Sequence, residues 1–158
     1  MALQRVPSAL FRQVDVSSKP ISLRKATAAG VIKLKPATLA LIRKGRIQKG
    51  DPMALARLTG VQAAKRTPDI IALCHPLRLD ATEVQAKFVR GGIEVTASVT
   101  AQERTGVEME ALTAVAVALL NIWDVTKQYE KDANGQYPGT RMEAIRVIRK
   151  VKRKIETA

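Results

Sequence analysis

The 158-residue sequence has few of the residues that build disulfides, metal centres and base-stacking surfaces: one cysteine, one histidine, two Phe, two Tyr and one Trp. With Cys74 alone, the chain has no internal disulfide. One cysteine beside one histidine also cannot supply the four ligands of a structural zinc site. We therefore expect neither a protein-only metal centre nor a resident cofactor.

The sequence also lacks a continuous apolar segment long enough to suggest a membrane span. Its longest apolar run, residues 111–120, contains Thr113 and ends at Asn121, whereas a spanning helix needs about 20 apolar residues. Residues 1–13 lack the apolar run of a signal peptide. We predict a cytoplasmic protein with no membrane partner, in which a loose extension, residues 1–13, precedes a single domain, residues 14–152.

The net charge of +13 is concentrated in residues 1–66 and 141–158, and the middle of the chain is acidic. Such a charge allows an RNA-binding or ribosome-associated protein as an alternative function. The scarcity of aromatic residues argues against any nucleic-acid partner, because single strands are usually bound by stacking on aromatic rings. A non-catalytic oligomeric scaffold is another alternative, but it leaves the charged residues Glu108, Glu110 and Asp124 unexplained.

Glycine-rich phosphate loops are absent too, since neither G-x-x-x-x-G-K-[ST] nor G-x-G-x-x-G occurs. An anionic ligand would then have to be bound by side chains. The candidate phosphate-binding residues are Lys49, Lys65, Arg66 and Lys127.

Helix signals occur at three places. Pro36 and Gly45 delimit a short helix over 36–44, because proline suits a first helical turn and glycine a helix end. Asp51 followed by Pro52 predicts the start of a second helix, which runs toward Lys65. Thr105 and Glu108 have capping-box spacing ahead of an Ala/Leu/Val-rich stretch reaching about Lys131, which predicts a long buried helix.

Alternating apolar residues indicate strands over 84–88 and 93–99, joined at Arg90-Gly91-Gly92 as a β-hairpin. A further strand is expected around Gly30–Leu34, and a last one around 145–151 after a turn-rich segment. Helices combined with an antiparallel hairpin predict an α+β sandwich with an antiparallel sheet and one long buried helix.

Charged residues on the long apolar helix are the most informative set, because buried charges need partners or a function. Glu108 could be only a capping residue, and Asp124 with Lys127 only a helical ion pair, whereas Glu110 has no such explanation. Glu110 and Asp124 lie about 21 Å apart along the helix on nearly the same face. If both serve one site, two such helices must run antiparallel across a twofold axis, which predicts a dimer with two shared sites.

His75 and Cys74 are adjacent and precede Pro76. An isolated histidine is more often structural than catalytic, and an isolated buried cysteine is usually an inert thiol. Taken alone, these residues leave both possibilities open.

Together these segments resemble the cyclic pyranopterin monophosphate synthase family, the molybdenum cofactor biosynthesis protein C family. The matching segments, in order, are Val14-Asp15-Val16-Ser17, Lys49-Gly50-Asp51, residues 60–67, Leu73-Cys74-His75-Pro76, residues 105–114 and residues 122–127. The resemblance implies a lyase that converts 3',8-cyclo-7,8-dihydro-GTP into cyclic pyranopterin monophosphate and releases pyrophosphate, without a redox step. It also implies a ferredoxin-like α+β fold and a homohexamer, assembled as a trimer of dimers with its sites at dimer interfaces.

The resemblance assigns roles to individual residues. It implies acid/base work and phosphate contact for Lys49 and Lys127, with Asp124 as the active-site aspartate. It places substrate-binding segments at Leu73-Cys74-His75 and Met109-Glu110. It aligns further charged pocket positions with Glu108, Arg24, Arg104 and Lys150.

The chain departs from the family pattern in three places. Thr126 replaces a cysteine found in some members, so that thiol is not essential. Residues 131–144 are longer than in many bacterial members. Lys152-Arg153-Lys154 stands where the family has a glycine- and lysine-rich segment, which leaves substrate closure at that end open.

Overall fold

The computed structural model describes residues 11–155, so most of the expected extension at residues 1–13 lies outside the described residues. The described chain follows a β-α-β-β-α-β pattern in which three helices stand between the first two strands. Its elements are β1 (Ser22–Lys33), α1 (Pro36–Arg43), α2 (Pro52–Lys65), α3 (Thr67–Ile70), β2 (Ala81–Val89), β3 (Gly92–Glu103), α4 (Glu108–Glu130) and β4 (Arg141–Lys154).

The four strands form one antiparallel sheet in the order β2-β3-β1-β4. This order and the element sequence are those of a ferredoxin-like α+β sandwich. The prediction of an antiparallel sheet with one long buried helix is confirmed.

The core lies between the sheet and the helices α2 and α4. On β3, Val95, Ala97 and Val99 are fully buried and alternate with half-buried Thr96 and Ser98, so only one face of the strand meets the core. A Cβ added at Gly30 on β1 would come within 2.9–3.0 Å of three side chains, from Ile145, Val115 and Leu119. Glycine at this position therefore allows α4 to pack close to β1.

The predictions of the helices α1 and α2 are confirmed. Helix α1 ends with Gly45 at φ +63, where the Gly45 and Arg46 N–H groups bond the Ile42 and Leu41 carbonyls in a Schellman motif. Helix α2 begins where Asp51 accepts a 2.8 Å hydrogen bond from the Met53 N–H.

The predicted capping box at the start of α4 is wrong. The helix begins at Glu108, with Val107 as the N-cap residue and no side-chain cap. Because Val107 and not Thr105 is the N-cap, Glu108 stands at the first helical position rather than the third, and its carboxylate pairs with Lys150 on β4. The predicted end near residue 131 is confirmed by the helix end at Glu130.

The first and last strands, β1 and β4, are longer than predicted. Strand β1 starts at Ser22, eight residues before the expected strand at Gly30, since its alanines and charges give a weak local β signal while pairing on both sides fixes it. Strand β4 spans Arg141–Lys154 and pairs with β1 through two irregularities, one of them around Ala144 with φ 55.

Helix α4 is the one described helix that is long and apolar enough to cross a membrane by length and composition, and 56% of its most apolar window is buried in the fold. Its packing against β1, β3 and α2 identifies it as the central core helix.

Candidate active site

The C-terminal half of α4 carries a cluster of two lysines and one carboxylate. Lys49, in the turn between α1 and α2, places its Nζ 3.0 Å from Asp124 Oδ2. Lys127, one helical turn after Asp124, places its Nζ 2.8 Å from Asp124 Oδ1. The structure thus brings together the three residues predicted to be catalytic, and Asp124 bridges the two lysines.

Hydrogen bonding in this cluster changes the ionisation of its members. Hydrogen bonds from Lys127 and from Lys49 lower the pKa of Asp124 below its usual value. The hydrogen bond to Asp124 raises the pKa of Lys127 in return. The resting cluster therefore holds an ionised carboxylate and a firmly protonated Lys127, which suits the binding of a phosphorylated anion.

An apolar surface adjoins this cluster. Leu120, Trp123 and Met142 line a cavity of about 380 Å³ together with Asp124 and Lys127. Tyr137, from the turn before β4, packs edge-on against Trp123 with ring centroids 5.9 Å apart at 67°. The 131–144 segment thus supplies an aromatic side chain near Lys127.

The N-terminal end of α4 forms a second cavity of about 320 Å³. Its lining comprises Leu73, Cys74, His75, Leu77, Thr105, Gly106, Glu108, Met109 and Glu110. The two predicted substrate-binding segments, which are distant in sequence, therefore meet in one cavity. Sequence reasoning had not assigned Thr105 and Gly106 to the site, although they lie within the matched 105–114 segment.

Glu110 is the buried acid of this cavity, with 3% of its surface exposed. Burial, with a smaller contribution from the charge of Glu108, raises the pKa of Glu110. Burial and the nearby Glu110 carboxylate likewise raise the pKa of the Cys74 thiol. Glu110 is therefore suited to exchange a proton, whereas Cys74 stays a neutral thiol.

Three further residues that the family resemblance assigns to the pocket, Glu108, Lys150 and Arg24, contact neighbouring groups. Glu108 and Lys150 form an ion pair between α4 and β4. Burial alone would raise the pKa of Glu108, but the hydrogen bond and charge of Lys150 outweigh it, so the pKa is lowered. Arg24 is buried and donates a 3.2 Å hydrogen bond to the Arg104 carbonyl, and its Nε has no partner among residues 11–155.

Residues 13–19 lie as a strap against this cavity. The Val14 carbonyl is 2.7 Å from His75 Nε2, and the Gln13 side chain donates to the Leu73 carbonyl. Arg104 donates to the carbonyls of Ser17 and Lys19. The Val14–Ser17 segment of the matched pattern therefore contacts the predicted substrate-binding residues, and Arg104 holds the strap.

Two predicted phosphate-binding residues lie elsewhere in this chain. Arg66 lines a separate groove of about 300 Å³ between α2 and α4, with Thr59, Gln62 and Asn121. Lys65, the last residue of α2, is exposed. Among the described residues, neither joins the linings of the two cavities at the ends of α4.

One chain therefore carries two separate groups of candidate site residues, a Lys49–Asp124–Lys127 cluster and a His75–Glu110 cavity, at opposite ends of α4. Their separation along the helix is about 21 Å, which is too long for one small substrate to bridge. Within residues 11–155, no group of three His, Cys, Asp or Glu residues is arranged to hold a metal ion.

Comparison with known proteins identifies one family and relatives that share one name. The sequence matches the MoaC family over residues 13–152. It is 50% identical over 152 residues to a Pyrococcus furiosus protein, covering 96% of this chain and 97% of the relative. It is 50% identical over 139 residues to a Sulfurisphaera tokodaii protein, covering 88% and 92%. A Methanoregula boonei protein is 51% identical over 141 residues, covering 89% and 91%. All three relatives are named probable cyclic pyranopterin monophosphate synthase.

Proposed function

The chain belongs to the MoaC family, and we propose that it performs the reaction for which its relatives are named, as a cyclic pyranopterin monophosphate synthase of molybdenum cofactor biosynthesis. The substrate is 3',8-cyclo-7,8-dihydro-GTP, and the products are cyclic pyranopterin monophosphate and pyrophosphate. The observation that carries this proposal is the Lys49–Asp124–Lys127 cluster, found at positions that the family resemblance assigns to catalysis. The comparisons give no support to the RNA-binding alternative.

The chemistry suits the residues present. Opening the five-membered ring of the purine and closing the pyran ring require several proton transfers, so groups with shifted pKa values are needed. Lys49 and Lys127 stabilise the negative charge of the phosphates as the cyclic phosphate forms and pyrophosphate leaves. Glu110 and His75 bind the guanine-like edge of the substrate. The buried carboxyl group of Glu110 accepts hydrogen bonds from the N–H groups of that edge.

The Lys49–Asp124–Lys127 cluster and the His75–Glu110 cavity act as two half-sites. The cluster of one chain and the cavity of a second chain form one active site across a dimer interface. An antiparallel pair of α4 helices places Glu110 of one chain near Asp124 of the other, because the two residues share a helix face. Exposed apolar side chains on α4 and β4 support such an interface, namely Met109, Leu120, Ile145, Val147 and Ile148. Burying them against a second copy removes this apolar surface from water.

The wider assembly follows the family resemblance, as a cytoplasmic homohexamer built from three such dimers. Residues 14–152 act as the single catalytic domain, and residues 1–13 are an extension to it. Sedimentation of the purified protein tests the assembly, and a fully active monomer would refute the shared site.

The reaction itself is tested directly by incubating the purified protein with cyclised dihydro-GTP. Formation of a cyclic pterin phosphate with one equivalent of pyrophosphate supports the proposal. Failure to consume the substrate, with a folded protein and a positive control enzyme, would refute it.

A further inference from the structure

The position of Lys49 depends on a turn rather than on a helix or strand. Lys49 lies between Ile47 and Gly50, whose N–H bonds the Ile47 carbonyl at 3.1 Å. Downstream, Asp51 is fixed as the N-cap of α2. Because a lysine side chain has four rotatable bonds, the backbone of this turn must be held if the ammonium group is to meet Asp124 reproducibly.

The upstream side of the turn is held by α4. The Gln48 N–H donates a 3.0 Å hydrogen bond to the hydroxyl of Tyr129. Tyr129 lies five residues after Asp124 on α4, and its ring packs against the core. The helix that carries Asp124 therefore also holds the residue next to Lys49.

The neighbouring residue on α4 holds the other end of the same segment. Glu130 is fully buried and accepts the Lys35 N–H at 3.1 and 3.2 Å, just before α1. Thr140 donates its hydroxyl proton to the same carboxylate at 2.5 Å. Residues 35–48 are thus tied to the last turn of α4 at both ends, by Glu130 and Tyr129.

We propose that Tyr129 is a positioning residue for Lys49: its hydroxyl accepts the Gln48 N–H and thereby fixes the turn that presents the Lys49 ammonium to Asp124. This inference rests on the proposed function, in which Lys49 acts in catalysis. Tyr129 itself need not touch the substrate.

The alternative is that Tyr129 is only a packing residue. A phenylalanine at this position keeps the ring in the core and removes the hydroxyl alone, so Tyr129→Phe separates the two roles. Without the acceptor, the Gln48 N–H must bond water, and the turn gains freedom. A displacement of about 1 Å at a catalytic group can lower a rate by up to ~10²-fold.

Three measurements test Tyr129→Phe in the full-length protein. We expect kcat to fall about tenfold with a smaller change in KM, since only the contact of Lys49 with the substrate is disturbed. We expect faster hydrogen exchange of the Gln48 amide by NMR. We also expect the titration midpoint of the Asp124 carboxyl to rise, because Lys49 is one of the two donors that lower its pKa.

Thr126→Val is the matched control. Thr126 also carries a hydroxyl on α4 and is buried, but within residues 11–155 that hydroxyl donates only to carbonyls of its own helix, Ile122 at 2.7 Å and Trp123 at 3.4 Å. This variant should leave kcat, Gln48 exchange and the Asp124 titration close to those of the unmodified protein.

Unchanged Gln48 exchange in Tyr129→Phe, or an unchanged kcat despite faster exchange, would overturn the inference. An unmodified protein that makes no product would instead refute the proposed function. In that case the amide exchange and the Asp124 titration still decide the positioning role: changes in both support it, and the absence of either overturns it.

Discussion

Glu110 and Asp124 lie on the same face of α4, about 21 Å apart along its axis, with Glu110 buried and Asp124 exposed between two lysines. This relationship connects the fold to the proposed activity, because the proposed shared site requires a second chain to bring the two ends of α4 together.

Asp124→Asn removes the negative charge that links Lys49 and Lys127. We expect turnover to fall about 10²-fold or more, because both lysines lose the carboxylate that fixes their positions, and a displacement of about 1 Å at a catalytic group can lower a rate by ~10²-fold. We also expect the pKa of Lys127 to fall toward its ordinary value, since Asp124 is what raises it. Steady-state kinetics and NMR titration of the lysine side chain measure the two effects.

Lys87→Ala is the control for this prediction. Lys87 forms a comparable surface ion pair, 2.7 Å from Glu94, on strands that do not contribute to the Lys49–Asp124–Lys127 cluster. Turnover should be unchanged in Lys87→Ala. A similar loss in both variants would show that the effect of Asp124 is not specific to the site.

Glu110→Gln should separate stability from activity. An acid whose pKa is higher in the folded than in the unfolded protein destabilises the folded state when it ionises. This loss of stability is absent at pH values below the pKa of the unfolded state and complete above the pKa of the folded state. The variant should therefore unfold at a higher temperature than the unmodified protein at pH 8, with the difference vanishing near pH 4. Its turnover should be strongly reduced. Thermal unfolding across pH measures the difference, and a variant less stable at pH 8 would contradict the raised pKa.

The reactivity of Cys74 reports on the same cavity, and the sequence contains no other cysteine. Because burial and then Glu110 raise the pKa of its thiol, alkylation by iodoacetamide at pH 8 should be slower than that of free cysteine. Glu110→Gln removes one of the two causes, so alkylation should become faster. Equal rates in both proteins would exclude a charge effect of Glu110 on the thiol.

Gly30→Ala tests the close packing of α4 on β1. The added methyl group would lie within 2.9–3.0 Å of side-chain carbons of Ile145, Val115 and Leu119. We expect a loss of about 1–3 kcal/mol in the free energy of unfolding, as for other overpacked cores. Gly139→Ala has open space at its Cβ and should be neutral. Chemical denaturation of both variants measures the contrast.

Much of the fold was predictable because its signals are local. The Asp51 cap, the Gly45 end and the hairpin around Gly91 depend on residues adjacent in sequence. The length of β1 was not predictable from local pattern, since its alanines acquire strand structure only by pairing with β3 and β4. The capping-box prediction failed because α4 begins two residues later than the spacing implies, with Val107 as its N-cap, while Glu108 pairs with Lys150 on a distant strand.

The site was predictable only in part. Sequence pattern suggested the Asp124–Lys127 pair and Lys49 as a phosphate-binding candidate, whereas the family resemblance supplied the catalytic role of Lys49 and the substrate-binding role of His75. Sequence pattern gave no indication that the Val14 carbonyl meets His75 or that Tyr129 holds Gln48. Both contacts join segments far apart in the chain through a backbone group, which leaves no side-chain signature to detect.

Subunit mixing tests the shared site most directly. Asp124→Asn and Glu110→Gln, each inactive alone, are co-expressed so that dimers form at random. A shared site predicts recovery of about a quarter of the unmodified activity, because half of the dimers are mixed and each has one intact site of two. Co-expression of Lys49→Ala with Asp124→Asn is the control and should recover nothing, because both changes affect the same half-site. Activity no higher than that of either variant alone in the first mixture would contradict the shared site.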